Sequence, residues 1–511
     1  MTASDGRRSG SQTLRLRHNP LLYQINTRVW LADLSRALGR PATLDDVPDA
    51  DLDGLVAAGF DLLYLLGVWQ TGEAGRRVSR NNLEWREEFA QVLPDLSEDD
   101  ICGSCFAITG YTVAARLGGD DALDRFRARL RQRGLRLILD FVPNHTAPDH
   151  PWAFDHPEYY IRGSEEDLAR EPQNYCRRGG GETPGQGDGQ VLAYGRDPYF
   201  AGWPDTLQLD YGNAAVQAAM RAELSGIADR CDGVRCDMAM LVLPEVFERT
   251  WGISARPFWP EAITAIKADH PGFLFMAEVY WDLEWELQRQ GFDFTYDKRL
   301  YDRLVQGSVP SVHSHLYASL DFQEHSARFL ENHDEPRAAA VFAPAKHRAA
   351  AIITYLCPGL RFFHQGQLEG ARIRLPVHLC RGPLEPPDED LRGFYRSLLG
   401  CLRDPGLHEG MWTLLDCRAA WDGNWTFESF VAQGWRGDLG ERLMIVVNFS
   451  EHQSQCYVSS PFSDLAGRRW VLRDLMNDIT YTRDGAALTE PGLYLDMPAW
   501  GYHAFALTPG A

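Results

Sequence analysis

Up to about residue 404, short apolar runs alternate with stretches whose apolar residues recur at helical spacing; beyond it, apolar and polar residues alternate one by one. Runs at 21–31, 60–68, 136–142, 233–238, 273–279, 292–296, 328–333 and 360–364 predict eight strands. Between 120 and 133, Leu123, Phe126 and Leu130 stand in a charged background, which is the spacing of a helix. Similar patterns predict helices over 45–58, 213–230, 259–270, 345–356 and 388–403. Strands that alternate with helices build a parallel sheet, and eight such units close as a (β/α)8 TIM barrel. The polar groups at the C-terminal strand ends then share one mouth.

The alternation lapses between Pro148 and Pro204, and residues 179–189 consist mostly of glycine with polar residues. A long aperiodic excursion inside a domain is usually functional. Residues 146–205 are therefore expected to form a short inserted subdomain after strand 3. From 405 to 511 the period of two and the frequent turns predict a C-terminal all-β sandwich. Residues 1–19 are polar and without period, the pattern of a disordered tail, which leaves 20–404 for the barrel.

Composition narrows the partners. The chain has 511 residues with 44% hydrophobic and 24% charged content, as in ordinary globular proteins. Its formal charge of −20 argues against nucleic acid or an anionic membrane surface and leaves neutral ligands unaffected. Ten cysteines show no disulfide-scaffold spacing, and Cys102-Gly-Ser-Cys105 lacks the second pair that a zinc site would want. With a polar N-terminus and no apolar run of membrane-spanning length, the expected location is the cytoplasm.

The candidate chemistry sits where four of the strands end. Asp140-Phe-Val-Pro-Asn-His145, Gly233-Val-Arg-Cys-Asp237, Ala277-Glu-Val-Tyr280 and Glu331-Asn-His-Asp334 each put charged or hydrogen-bonding residues after a buried run. One such ending is most simply a structural ion pair; four describe a polar pocket.

These four stretches, in this order, resemble the signature regions of the alpha-amylase family of retaining α-glucan-active enzymes, and the resemblance runs over about residues 20–510. It implies a barrel with an insertion after the third strand and a C-terminal β-sandwich. It also implies a catalytic set of Asp237 as nucleophile, Glu278 as general acid and base, and Asp334 as the third carboxylate. By the same resemblance Arg235 orients Asp237, His145 and His333 bond the reacting sugar, and Tyr111 stacks on it. Asp140 is expected at the sugar or just behind it, and Trp281, with Trp285, on the acceptor side. Trp203-Pro-Asp-Thr-Leu-Gln-Leu-Asp210 resembles a fifth stretch near the end of the insertion. No cofactor is required; calcium is a candidate ligand, with Asn144 as the one residue that would hold it.

The chain departs from many endo-acting members at Met240 and Leu241, where they carry lysine and histidine, so hydrogen bonds to a sugar on the leaving side are lost. Three readings follow. The first is a hydrolase of α-glucosidic bonds in maltooligosaccharides or small α-glucosides. The second is a glucanotransferase that passes the same covalent intermediate to a sugar acceptor. The third, a non-catalytic carbohydrate-binding barrel, is disfavoured because all three carboxylates and Arg235 are present.

Overall fold

The run Leu62-Leu-Tyr-Leu-Leu66 has no polar face to offer to water. In the computed structural model, which describes residues 16–178 and 189–510, it forms a strand buried on both sides. It belongs to a closed barrel of eight parallel strands: β1 (Leu21–Asn26), β2 (Leu62–Leu66), β3 (Arg136–Phe141), β4 (Gly233–Cys236), β5 (Leu274–Ala277), β6 (Phe294–Tyr296), β7 (Ser326–Arg328) and β8 (Leu360–His364). Each strand pairs with its neighbours in sequence, and β8 closes on β1 through pairs such as Leu22 with Phe362. Burial on both faces explains why the strands read as continuous apolar runs rather than as alternating ones.

Most of the strands are shorter than the apolar runs that predict them, and two depart furthest. β1 stops at Asn26, whose side chain accepts from the amide of Val29 and starts the helix Thr27–Leu38, so residues 27–31 are helical. β7 covers 326–328, and residues 329–333 lie beyond its end as an irregular segment. The helices Gly119–Gln132, Ala214–Ala228, Trp259–Asp269, Pro344–Tyr355 and Glu389–Cys401 fall where helical spacing predicts them.

Of the expected tail, residues 1–15 lie outside the described residues. Asn19 within it is fixed: its amide donates to the carbonyl of His408 at 3.0 Å and its Oδ1 accepts from Gly359 N at 2.7 Å. The excursion after β3 carries short elements despite its aperiodic sequence; residues 179–188 of the expected glycine loop lie outside the described residues. A helix over Glu165–Arg170 is capped reciprocally by Ser164 and Asp167, and Tyr175–Arg177 pairs with Val191–Ala193. The return strand Leu207–Gln208 pairs antiparallel with His145–Thr146, placing Gln208 opposite His145.

Beyond the barrel, β9 (Met411–Leu415), β10 (Phe430–Arg436), β11 (Arg442–Asn448), β12 (Arg469–Asp474), β13 (Thr480–Asp484) and β14 (Tyr502–Pro509) form an antiparallel sheet in the order β9-β10-β11-β14-β12-β13. A second, three-stranded sheet of residues 417–418, 454–458 and 493–497 packs on it. Alternation divides the larger sheet's side chains. Phe430, Ala432, Met444, Val446 and Phe505 face the smaller sheet, while Val431, Trp435, Ile445, Val447 and Ala504 join the core of the barrel.

Candidate active site

Gly233 fixes how closely β4 meets its neighbours. A Cβ there would lie 2.7 Å from Ile138 Cδ1 and 2.8 Å from the carbonyl of Leu274, so only glycine lets three strands approach at this point. The register that follows pairs Arg235 with Asp140 and Cys236 with both Phe141 and Ala277. Asp237 and Glu278 are therefore neighbours one residue past their strands, tied by backbone bonds from Asp237 N to Phe141 O (2.8 Å) and from Glu278 N to Cys236 O (3.0 Å).

Arg235 is fully buried and its guanidinium serves both carboxylates. Nη1 donates to Asp237 Oδ1 at 2.6 Å and Nη2 to Glu278 Oε2 at 2.7 Å, with Asp334 Oδ2 at 3.9 Å and Asp140 Oδ1 at 4.0 Å from the same group. The ring of Phe106 lies against it, its centroid 5.0 Å from Cζ. Glu278 has two further donors: the amide of Met238 at 2.7 Å to Oε2 and the Tyr280 hydroxyl at 2.9 Å to Oε1. Met238 reaches that position through a left-handed backbone, φ 43°, directly after Asp237.

Burial dominates the acidity of this set. It raises the Glu278 carboxyl to about 7 against the opposing pull of Arg235. It raises Asp237 as well, with Arg235 drawing that group back towards the ionised form. The two histidines go the other way: burial lowers His145 and His333 to about 3, so both rings are neutral. Gln24 Nε2 stands 2.9 Å from His333 Nδ1, so the neutral ring carries its proton on Nε2, which lies 3.1 Å from Asp334 Oδ2.

Asp237, Glu278, Asp334, Arg235 and His145 all line one cavity of about 240 Å³, smaller than the usual range for ligand pockets of about 300–1,000 Å³. The walls that complete it include Phe106, Trp203, Trp85 and His378. Trp85 comes from Leu83–Val92, a helix between β2 and β3 that follows directly on the helix Glu73–Asn81, and its ring meets His378 at 4.5 Å.

Other expected contacts fall elsewhere. Tyr111 is not on the cavity wall: its hydroxyl donates to Val142 O and accepts from Val142 N, both at 3.0 Å, and its ring packs edge-on against Trp69. Phe106, five residues earlier, supplies the aromatic surface instead. No periodic pattern marks it, because it precedes the short strand Ile108–Val113 in an irregular stretch. Asp140 stands behind Arg235, bonded to the Tyr64 hydroxyl (2.5 Å) and Gly67 N (2.9 Å), and does not reach the cavity. Trp281 lies apart from the cavity wall, packed against Tyr199 at 5.0 Å with Arg249 over its ring, and Trp285 is exposed. Met240 and Leu241 are buried in a helical turn and present nothing to an acceptor sugar.

Asn144 does not fit calcium. Its Oδ1 and its backbone carbonyl accept from the Gln208 side-chain amide at 2.9 and 3.0 Å, and the carbonyl of Leu209 joins them at 3.1 Å. An amide nitrogen thus stands among the three oxygens that a cation would need. Among the described residues no group of three or more histidine, cysteine or acidic side chains could hold a metal. Calcium would want six to eight oxygens.

A family model described as the alpha amylase catalytic domain matches residues 106–373, more than half of the chain. The chain is 26% identical over 304 residues to alpha-amylase MalA of Haloarcula japonica, which covers 58% of this chain and 40% of that protein. It is 31% identical over 137 residues to the alpha-1,4-glucan:maltose-1-phosphate maltosyltransferase of Salinibacter ruber, 25% of this chain and 19% of that one. The matches thus span less than half the length of either relative. Among solved structures, the noncanonic maltogenic alpha-amylase AmyB of Thermotoga neapolitana superposes with a TM-score of 0.67 at 16% identity, covering 96% of this chain and 99% of that one. At that identity the likeness is one of fold. Among the described residues no helix is long and apolar enough to cross a membrane.

Proposed function

We propose that this chain, which belongs to the alpha-amylase family, cleaves α-glucosidic bonds of short maltooligosaccharides or related α-glucosides with retention of configuration. The observation that carries the reading is the single guanidinium of Arg235 held between Asp237 and Glu278. Retention needs two carboxyl groups about 5–5.5 Å apart, close enough for one to attack while the other protonates. Carboxylates that share the two ends of one guanidinium are set close in this way.

In this reading Asp237 Oδ2, the oxygen that Arg235 leaves free, attacks the anomeric carbon as Glu278 passes its proton to the departing glycosidic oxygen. A covalent glycosyl ester forms on Asp237. Glu278, now a carboxylate, takes a proton from water, whose oxygen attacks the same carbon and frees Asp237. Phe106 supports the face of the sugar ring. Neutral His145 and the half-exposed Asp334 bond its hydroxyls, with His333 Nε2 standing 3.1 Å from Asp334 behind the wall, and these bonds tighten as positive charge develops on the ring.

Transfer to a sugar acceptor is the second reading, favoured by the similarity to a maltosyltransferase over a quarter of the chain. Replacing water by an acceptor hydroxyl in the second half-reaction is the only chemical change. The test is incubation with maltotriose, with and without added maltose, resolving products and the anomer first released. Expected are shortened α-anomers; longer products on adding maltose identify transfer. Full turnover by Asp237→Asn would overturn both readings.

A further inference from the structure

The cavity holds a fourth carboxylate that the catalytic scheme leaves unused. Asp205 comes from the end of the inserted segment, two residues before the strand Leu207–Gln208, and lines the cavity with His145, Trp203 and Ser104. It is 3% exposed, and among the described residues its Oδ2 has no hydrogen-bond partner and the side chain forms no ion pair. Burial raises its carboxyl to about 6, opposed by its own backbone amide and by no neighbouring cation. A buried acceptor left unpaired costs stability, and such a group persists where a ligand completes it.

The surrounding backbone is built to hold it there. Thr206 donates through both its amide (3.0 Å) and its hydroxyl (2.9 Å) to the carbonyl of Trp203, which closes the turn around Asp205. From the other side the helix Glu73–Asn81 approaches at Gly75. A Cβ at Gly75 would stand 3.8 Å from Asp205 Cβ and 3.2 Å from Ala107 Cβ, so the small residue lets the helix pack against this turn.

We propose that Asp205 is a specificity residue whose carboxylate accepts a hydrogen bond from one hydroxyl of the sugar bound in the catalytic cavity. A neutral, hydroxyl-rich ligand supplies the missing donor, and a sugar lacking that hydroxyl leaves the carboxylate unpaired again. The inference rests on the proposed function for the identity of the ligand as an α-glucoside.

The experiment compares p-nitrophenyl α-glucoside with its 2-, 3-, 4- and 6-monodeoxy analogues on the wild type, Asp205→Asn and Asp205→Ser. Calorimetric binding of glucose and its monodeoxy forms to the same proteins runs in parallel, with circular dichroism as the check on folding. The wild type is expected to lose about 10- to 100-fold in kcat/KM or affinity at one deoxy position, the range for a hydrogen bond to a charged group. The variants should lose as much on the parent sugar and nothing further on that one analogue. Equal losses across all the sugars, or no loss at all, overturn the role of Asp205. A wild type that binds the sugars without turning them over overturns the proposed function, and the deoxy binding series then still decides on Asp205. A wild type that binds none of them overturns both.

Discussion

Arg235 and Glu278 are in direct contact, Nη2 to Oε2 at 2.7 Å, although a cation at that distance favours the ionised carboxylate and a general acid must carry a proton. Burial wins the contest, and the carboxyl rests at about 7. The same guanidinium holds Asp237 at 2.6 Å. Arg235→Lys keeps the charge and loses the fork that serves two partners. Its kcat/KM should fall at least about 100-fold, or about 2.7 kcal/mol in the barrier. The kinetic assay should be paired with a melting curve, since a broken buried ion pair also destabilises.

The rate should depend on pH through Glu278. The free enzyme needs this group protonated, so kcat/KM should decline as pH rises through about 7, while a separate acid limb falls where Asp237, its own carboxyl raised by burial, takes up a proton. Tyr280 donates to Oε1 at 2.9 Å and so favours the ionised form. Tyr280→Phe removes that donor, raises the Glu278 pKa and should move the declining limb to higher pH. A limb that stays in place or moves to lower pH would contradict this account of the acid.

Phe106 and Tyr111 should separate in assay. Phe106→Ala removes the cavity's aromatic floor and should raise KM on the order of tenfold while the fold is kept. Tyr111→Phe deletes two bonds to the backbone of Val142, at 3.0 Å each, and should cost about 1–2 kcal/mol of stability with KM unchanged.

Chelation should leave the melting temperature where it was. The Gln208 amide already stands among the oxygens of Asn144 and Leu209, so neither EDTA nor added calcium has a site to act on there. Gln208→Glu replaces the donor by a carboxylate, and calcium should then raise the melting temperature of that variant relative to EDTA. A wild type that loses stability in EDTA would contradict this.

The barrel was legible because its eight strands are buried on both faces and so read as apolar runs, with the reactive groups gathered where Arg235, Glu278 and Asp334 interrupt them. The ends of the elements were less legible. β1 stops at Asn26 through one side-chain cap, a contact that apolar spacing does not encode. The insertion escaped a periodic reading because its pieces are held by local devices, such as the Ser164 and Asp167 cap, rather than by an amphipathic face. Phe106 was missed for a related reason, since it acts from an irregular segment whose position is set by distant parts of the chain; Asp205 and Gln208 fell inside the stretch Trp203–Asp210 that the sequence singles out, but without roles of their own.

The larger sheet has no inner and outer face in the usual sense. Trp435 donates through Nε1 to the carbonyl of Leu356 at 2.9 Å, and Val431, Ile445 and Val447 merge with the side chains beneath the barrel's own helices. The two halves of the chain share one apolar core along this contact, so heat should melt them in one step. A protein cut after residue 404 would carry a raw oily flank and should precipitate rather than survive as a smaller enzyme.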